Sequence, residues 1–296
     1  MTAKTVKIVF LCLVPILALA GCESSDPPVA GLQVVPDQLR LPFPGVIDLE
    51  LSWAMELPLD GLQGRPLVFV HLVDDQGNVL RTFDHSLDFE WRPGQRQQYV
   101  IRLHQSALAP PVEPGTYGLT MGLYDSAGQR WPLRVDGKQV GRNEYRVAEV
   151  EVGVAFQESP MFFFSPAWLP LESGLDAQVV ARRWLGDAEG TIRVTDCPKS
   201  GRIWMLIRIP SDEPGVSRVA LDDEVSAPEV RITSTCGLEE ICVSGPGFHE
   251  IEISLLEADK ELLEECELRL EPNFHLLEEN ALTRRSMALE VLAWAE

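Results

Sequence analysis

Apolar and polar side chains alternate along many short stretches of the chain, the period of half-buried strands. Val46 to Met55 (VIDLELSWAM) shows the alternation most regularly, and Gln97 to Leu103 repeats it. Leu67 to Val73 (LVFVHLV) is more continuously apolar and β-branched, as a strand inside a sandwich core is. Asp74-Asp75-Gln76-Gly77-Asn78 has turn chemistry and leads into Val79 to Phe83, which predicts a hairpin. Pro114-Gly115 punctuates the chain before Thr116 to Tyr124, a turn is expected at Asp125 to Gly128, and Tyr145 to Val154 ends the set. Short strands at regular spacing, with no amphipathic helix among them, predict a β-sandwich over 31–155.

A second sandwich is expected over 156–296. Met161 to Phe164 (MFFF), followed by Pro166, Trp168 and Pro170, reads as an apolar connector packed between the domains; left exposed, it would mark a partner site. Strands are predicted at Thr191 to Thr195, Ile203 to Ile209, Ser217 to Leu221, Val230 to Thr235 and Ile241 to Val243. His249 to Leu255 and Glu267 to Glu271 alternate, and Met287 to Ala295 (MALEVLAWA) reads as a buried last strand. Leu255 to Leu270 admits two readings. Its leucine spacing suits a short amphipathic helix, whereas the flanking alternation favours a hairpin turning at Ala258-Asp259-Lys260.

The first residues follow another pattern. Lys4 and Lys7 precede an apolar run from Ile8 to Ala20, about 13 residues, where a bilayer span needs roughly 20. The run ends in Leu19-Ala20-Gly21-Cys22, which resembles the lipobox of bacterial lipoproteins. That resemblance implies cleavage between Gly21 and Cys22, palmitate-type acylation of Cys22, and a membrane anchor made of lipid. An ordinary secretory signal cut near Ala20 is the alternative. Glu23, where Asp resembles an inner-membrane retention signal, implies the periplasmic side of the outer membrane. The expected architecture is therefore all-β: two tandem antiparallel β-sandwiches after a lipoprotein signal peptide (1–21) and a short polar tether (22–30).

Charge narrows the partners. Without Lys4 and Lys7 the chain has 23 basic against 45 acidic residues, a net charge of -22. Nucleic-acid binding needs Lys and Arg on phosphates, so this balance excludes it as an expectation. An anionic membrane surface would also repel the chain, leaving the lipid to hold it there. Between 250 and 279 lie 11 acidic and two basic side chains, read as a solvated face, with weak calcium or cationic-partner binding as the alternative.

Cys197, Cys236, Cys242 and Cys266 remain in the exported part and suggest two disulfides, which four thiols can form in three ways. The expected pairs are Cys236–Cys242, closing a short hairpin, and Cys197–Cys266, joining distant strands. A zinc site would want paired CxxC spacing, which is missing.

Two further resemblances concern the domains. HLVDDQGNVLRTFD from His71 to Asp84, WRPG from Trp91 to Gly94 and PGTYGLTMGLYD from Pro114 to Asp125 look like an immunoglobulin-like or fibronectin-like accessory domain of bacterial envelope proteins. Arg183-Trp184, Asn273-Phe274, Arg284 or Arg285 and Met287 to Ala295 resemble a jelly-roll or galactose-binding module of envelope glycosyltransferase-type proteins. Neither resemblance brings catalytic residues with it.

No GxSxG, SxxK, HExxH, P-loop or dinucleotide glycine motif occurs, so no catalytic residue, metal site or cofactor is expected. Asp74 and Asp125 read as turn residues and His71 as a satisfied core or rim histidine. A glycan role would need aromatic platforms beside polar groups. Trp184 and Trp204 with Arg183 are the candidate platform, and Trp91, Trp131 and Trp168 are further rings of that kind. The function expected is a non-enzymatic envelope module that binds or positions a protein or glycan partner. A glycan-binding second sandwich or an envelope polysaccharide hydrolase are the alternatives.

Overall fold

A computed structural model describes residues 26–153, 160–173, 181–186, 189–196, 201–211, 216–220, 227–235, 240–254, 265–278 and 284–295. The assigned secondary structure is strand throughout. The first half contains β1 (Ala30–Val35), β2 (Gln38–Leu41), β3 (Gly45–Met55), β4 (Leu67–Val73), β5 (Val79–Thr82) and β6 (His85–Ser86). It continues with β7 (Arg96–Gln105), β8 (Gly115–Tyr124), β9 (Arg130–Trp131), β10 (Leu133–Val135), β11 (Lys138–Gly141) and β12 (Glu144–Val152). One sheet runs β10-β1-β3-β7; the other runs β11-β12-β8-β4-β5, with β2, β6 and β9 attached to its members. The alternation read from the sequence turns Leu49, Leu51 and Trp53 inward, against Val68, Val70 and Leu72 from the facing sheet.

The second half contains β13 (Met161–Phe164), β14 (Glu172–Ser173), β15 (Ala181–Trp184), β16 (Gly190–Thr195), β17 (Arg202–Ile209) and β18 (Val216–Ala220). After these come β19 (Glu229–Ser234), β20 (Glu240–Ser244), β21 (Gly247–Ser254), β22 (Glu265–Pro272), β23 (Phe274–Glu278) and β24 (Ala288–Ala295). Two five-stranded sheets, β13-β16-β22-β19-β20 and β14-β15-β24-β17-β21, face each other, and β18 pairs with β23. A separate core fills the space between them, with Ile192, Val194, Ile203, Met205, Leu268 and Leu292 among its members.

Three sequence expectations need correction here. Met161 to Phe164 is an edge strand of the second sandwich, paired with β16, and not a connector. The hairpin expected around Ala258-Asp259-Lys260 is not formed, because β21 pairs with β17 and β22 pairs with β16 and β19. The two strands belong to opposite sheets, so alternation on both flanks signalled two strands and not their pairing; residues 255–264 lie outside the described ones. Cys242 is a free, exposed thiol, which overturns the Cys236–Cys242 pair. Cys266 is fully buried and disulfide-bonded, while Cys197 and Cys236 lie outside the described residues.

Strand β24 is buried at every position, which a sandwich strand normally is on only one face. Part of its second face, at Val291 and Ala293, is covered by the first domain.

Candidate functional site

The two sandwiches meet along a seam built from both. On the outer face of β3 and β7, Val46 stands opposite His104 and Asp48 opposite Arg102. This end of the sheet packs on β24 and β17, where Trp204, Val291 and Ala293 form a small apolar cluster with Val46 and Leu206. The His104 ring lies between Phe83 and Trp204, with centroids 5.2 and 5.4 Å away. Arg102 lies over the Trp204 ring at 5.8 Å, bonds Asp48 (3.2 Å) and Glu250 (2.9 Å), and pairs with Glu252. Arg202 donates to the same Glu252 at 2.8 Å.

Backbone joins the domains as well. The Ala107 N–H donates to the Leu292 carbonyl (2.7 Å), and the Leu292 N–H donates to Ser106 Oγ (3.2 Å). β15 pairs with β24 only at Leu289 and Ala288, so beyond them the first domain supplies hydrogen bonds that a neighbouring strand would otherwise make. Leu108 and Ala109 follow into the second core. Each domain thus completes the other.

Burial pulls the His104 pKa down to about 4, against about 6.5 for an unperturbed histidine. The imidazole is therefore neutral in the folded seam, and the unfolded chain binds the extra proton between those two values. Its contribution is whole above pH 6.5 and is lost as pH falls towards 4, to at most ~3 kcal/mol. We expect His104→Phe to flatten the decline of the melting temperature between pH 7 and 4.5. An unchanged decline would remove His104 from the account.

A second feature is the free side of β13. Among the described residues nothing pairs with it there. Met161 and Phe163 are 51% and 44% exposed, whereas Phe162 and Phe164 pack towards the core. Arg193 from β16 lies 5.0 Å from the Phe163 ring. From Pro160 to Pro170 the chain carries no charged side chain. Natural edge strands are normally guarded by charge or bulges, so an apolar, uncharged edge suits addition of a further strand.

The proposed glycan platform is not presented to solvent. Trp204 is 2% exposed in the seam and Trp184 is 7% exposed. Trp184 Nε1 donates to Glu172 (3.0 Å), and the Arg208 and Arg285 guanidinium groups lie 5.3 and 5.2 Å from its ring. Arg183 is turned to Phe164, 4.6 Å from that ring, and donates to the Leu169 carbonyl. Trp131 and Trp168 are buried too. Beside Trp184, Arg208 Nε meets Glu290 at 3.0 Å, Arg182 approaches it at 3.7 Å, and Arg285 pairs with Glu172 at 3.2 Å. Sequence reading missed this network, because Arg182, Arg208 and Glu290 come together only through sheet pairing. A charged residue inside the apolar run MALEVLAWA was the available signal.

The other ionisable residues serve the backbone. Asp74 accepts from the Gln76 and Asn78 N–H groups, and Asp125 from those of Gln63, Ala127 and Gln129. These bonds, first of all the one from Gln63, hold the Asp125 carboxyl below its usual range. His71 meets Asp84 at 3.2 Å, but the same Asp84 oxygen also accepts the Val70 N–H, where the ladder is interrupted between β5 and β6. Tyr124 donates to its other oxygen at 3.3 Å. Clefts of about 880, 730 and 350 Å³ open at Val34–Arg146, at Ser52–Arg96 and at Asp48–Arg202, and His71 and Asp84 line none of them. Among the described residues no group of three or more His, Cys, Asp or Glu is placed to hold a metal. Cys22 and Gly21 lie outside the described residues.

No protein-family model matches the chain, and neither does any curated protein sequence. Among solved structures it is similar to a Salmonella alpha-2-macroglobulin variant, at 14% identity and a TM-score of 0.22, over 95% of this chain and 16% of that one. It is also similar to Escherichia coli alpha-2-macroglobulin in its native conformation, at 15% identity and a TM-score of 0.23, over 90% of this chain and 14% of that one. The chain thus spans about a sixth of the length of these proteins, and at such TM-scores the likeness carries no functional argument.

Proposed function

We propose that the protein is a non-enzymatic module of the cell envelope, acylated at Cys22, that holds two docked sandwiches at the membrane and offers the edge of β13 to a protein partner. The observation that carries this reading is the uncharged free edge with Met161 and Phe163 exposed, on a body that packs on the first sandwich along the seam. The seam engages the Val46 and His104 end of the first domain, whereas the tether enters at Ala30, the opposite end of the same sheet. The second sandwich therefore stands away from the anchor. The Leu-Ala-Gly-Cys resemblance and Glu23 support acylation and the periplasmic side of the outer membrane. A glycan role in the second sandwich loses support, since Trp184 and Trp204 are covered.

The test is a pull-down from detergent-solubilised envelope with a C-terminal tag. One stoichiometric protein is expected, lost when Met161→Lys and Phe163→Lys are combined, with unchanged folding by circular dichroism. Recovery unaffected by that pair would reject the edge as the contact. Feeding a clickable fatty acid is expected to label the wild type and leave Cys22→Ser unlabelled. A label retained by the variant would reject Cys22 as the anchor.

A further inference from the structure

The chain leaves the tether at a surface with its own chemistry. The Val29 carbonyl accepts the N–H groups of both Glu56 (2.8 Å) and Leu57 (3.0 Å), which places the loop after β3 directly at the point of entry. Leu57 is 37% exposed there, beside exposed Pro58. Trp91, half-buried with its edge on Trp53, donates its indole N–H to the Leu57 carbonyl at 2.9 Å. Arg65, Arg92 and Arg96 are exposed at the same end of the sandwich, Arg65 two residues before β4, Arg92 next to Trp91 in the chain and Arg96 opposite Ala54 of β3. Arg92 is paired with Glu90, and Arg134 with Glu56, whereas Arg65 and Arg96 have no carboxylate partner among the described residues. A large apolar side chain, an indole with one polar end, and arginines are the mix that settles at a lipid headgroup layer.

We infer that this end of the first sandwich rests on the phospholipid surface, with Leu57 and Trp91 at the boundary between headgroups and acyl chains and Arg65 and Arg96 on phosphates. The inference rests on the anchoring reading above. From Cys22 to Val29 the tether has seven steps, so at roughly 3.3–3.6 Å each the surface cannot stand more than about 25 Å from the anchored thiol. A polar tether of this kind averages nearer ~15 Å.

Charge is distributed to suit that orientation. Residues 31–155 carry 11 basic and 16 acidic side chains, a net -5, whereas residues 156–296 carry 12 and 27, a net -15. The more acidic body is docked at the far end of β3, whose 11 residues extend roughly 33 Å. Repulsion from anionic lipid therefore falls on the body already held away from it, beyond the Debye length of about 8 Å.

The test replaces Cys22 with an N-terminal histidine tag and binds the mature chain to nickel-chelating vesicles of phosphatidylcholine with phosphatidylglycerol. In a Cys242→Ser background, Leu57→Cys carries an environment-sensitive fluorophore. Val79→Cys, 45% exposed at the opposite end of the first domain, carries the same label as the reference. On vesicle binding the label at position 57 is expected to shift to the blue and to be quenched by headgroup-region brominated lipid, while that at 79 stays water-like. Equal responses at the two positions would overturn the inference. Chelation makes the attachment independent of acylation, so failure here is distinct from failure of the fatty-acid labelling at Cys22.

Discussion

Trp204→Ala is expected to cost about 3–5 kcal/mol and to split one cooperative unfolding transition into two. The residue is 2% exposed and serves both halves of the molecule at once. Its loss leaves His104 without one of its two aromatic neighbours and Arg102 without the ring beneath it. It also opens the cluster formed with Val46 and Val291. Trp204 Nε1 is buried without a hydrogen-bond partner, so Trp204→Phe, which removes that orphan donor while keeping a ring, should cost roughly 1–2 kcal/mol. Calorimetry and urea titration followed separately in each domain would measure both effects. A single, unshifted transition in the alanine variant would show that the seam contributes nothing to stability.

The second large effect is expected at Glu290. Its side chain is 3% exposed, inside an otherwise apolar strand, with Arg208 at 3.0 Å and Arg182 at 3.7 Å. Removing one partner of a buried ion pair usually costs about 3–5 kcal/mol, because the remaining charge stays desolvated. Arg208 is 27% exposed and can partly recover water, so Glu290→Gln should fall at about 2–4 kcal/mol. Combining Glu290→Leu with Arg208→Met removes both charges and should recover at least half of the loss. Denaturant midpoints of the three variants decide this; a double variant no better than the single one would assign the cost to packing and not to charge.

The two predictions concern residues that differed in how far the sequence revealed them. Val46 to Met55 and Leu67 to Val73 could be assigned as strands from their own spacing, since a period of two already separates a core face from a wet one. Trp204 could not be separated from a ligand platform by the same means. It occupies an outward position of β17, and whether such a ring meets solvent, sugar or another domain depends on residues a hundred positions away in the chain. His104 and Arg102 are such residues. Glu172, Arg182, Arg208 and Glu290 are likewise spread over β14, β15, β17 and β24, so only pairing in register brings them together.

Turn chemistry shows the opposite case. Asp74 and Asp125 bind N–H groups two to four residues ahead, so their turn roles could be read from neighbours in the chain, whereas the Gln63 N–H that Asp125 also accepts lies 62 residues away. Leu255 to Leu270 misled for a related reason: alternation reports that a segment has two faces, and both β21 and β22 do. It contains no information about which strand lies alongside.

Short-range patterning was thus sufficient for the all-strand class, the two bodies, the turn carboxylates and the buried last strand, because each depends on contacts between side chains near in sequence or on burial of one face. The docking of the sandwiches, the covering of Trp184 and Trp204, the free edge at β13 and the surface at the tether entry required the folded chain. Those features are set by which faces are left over once each sheet has paired, and pairing over long separations is decided by the packing of the whole.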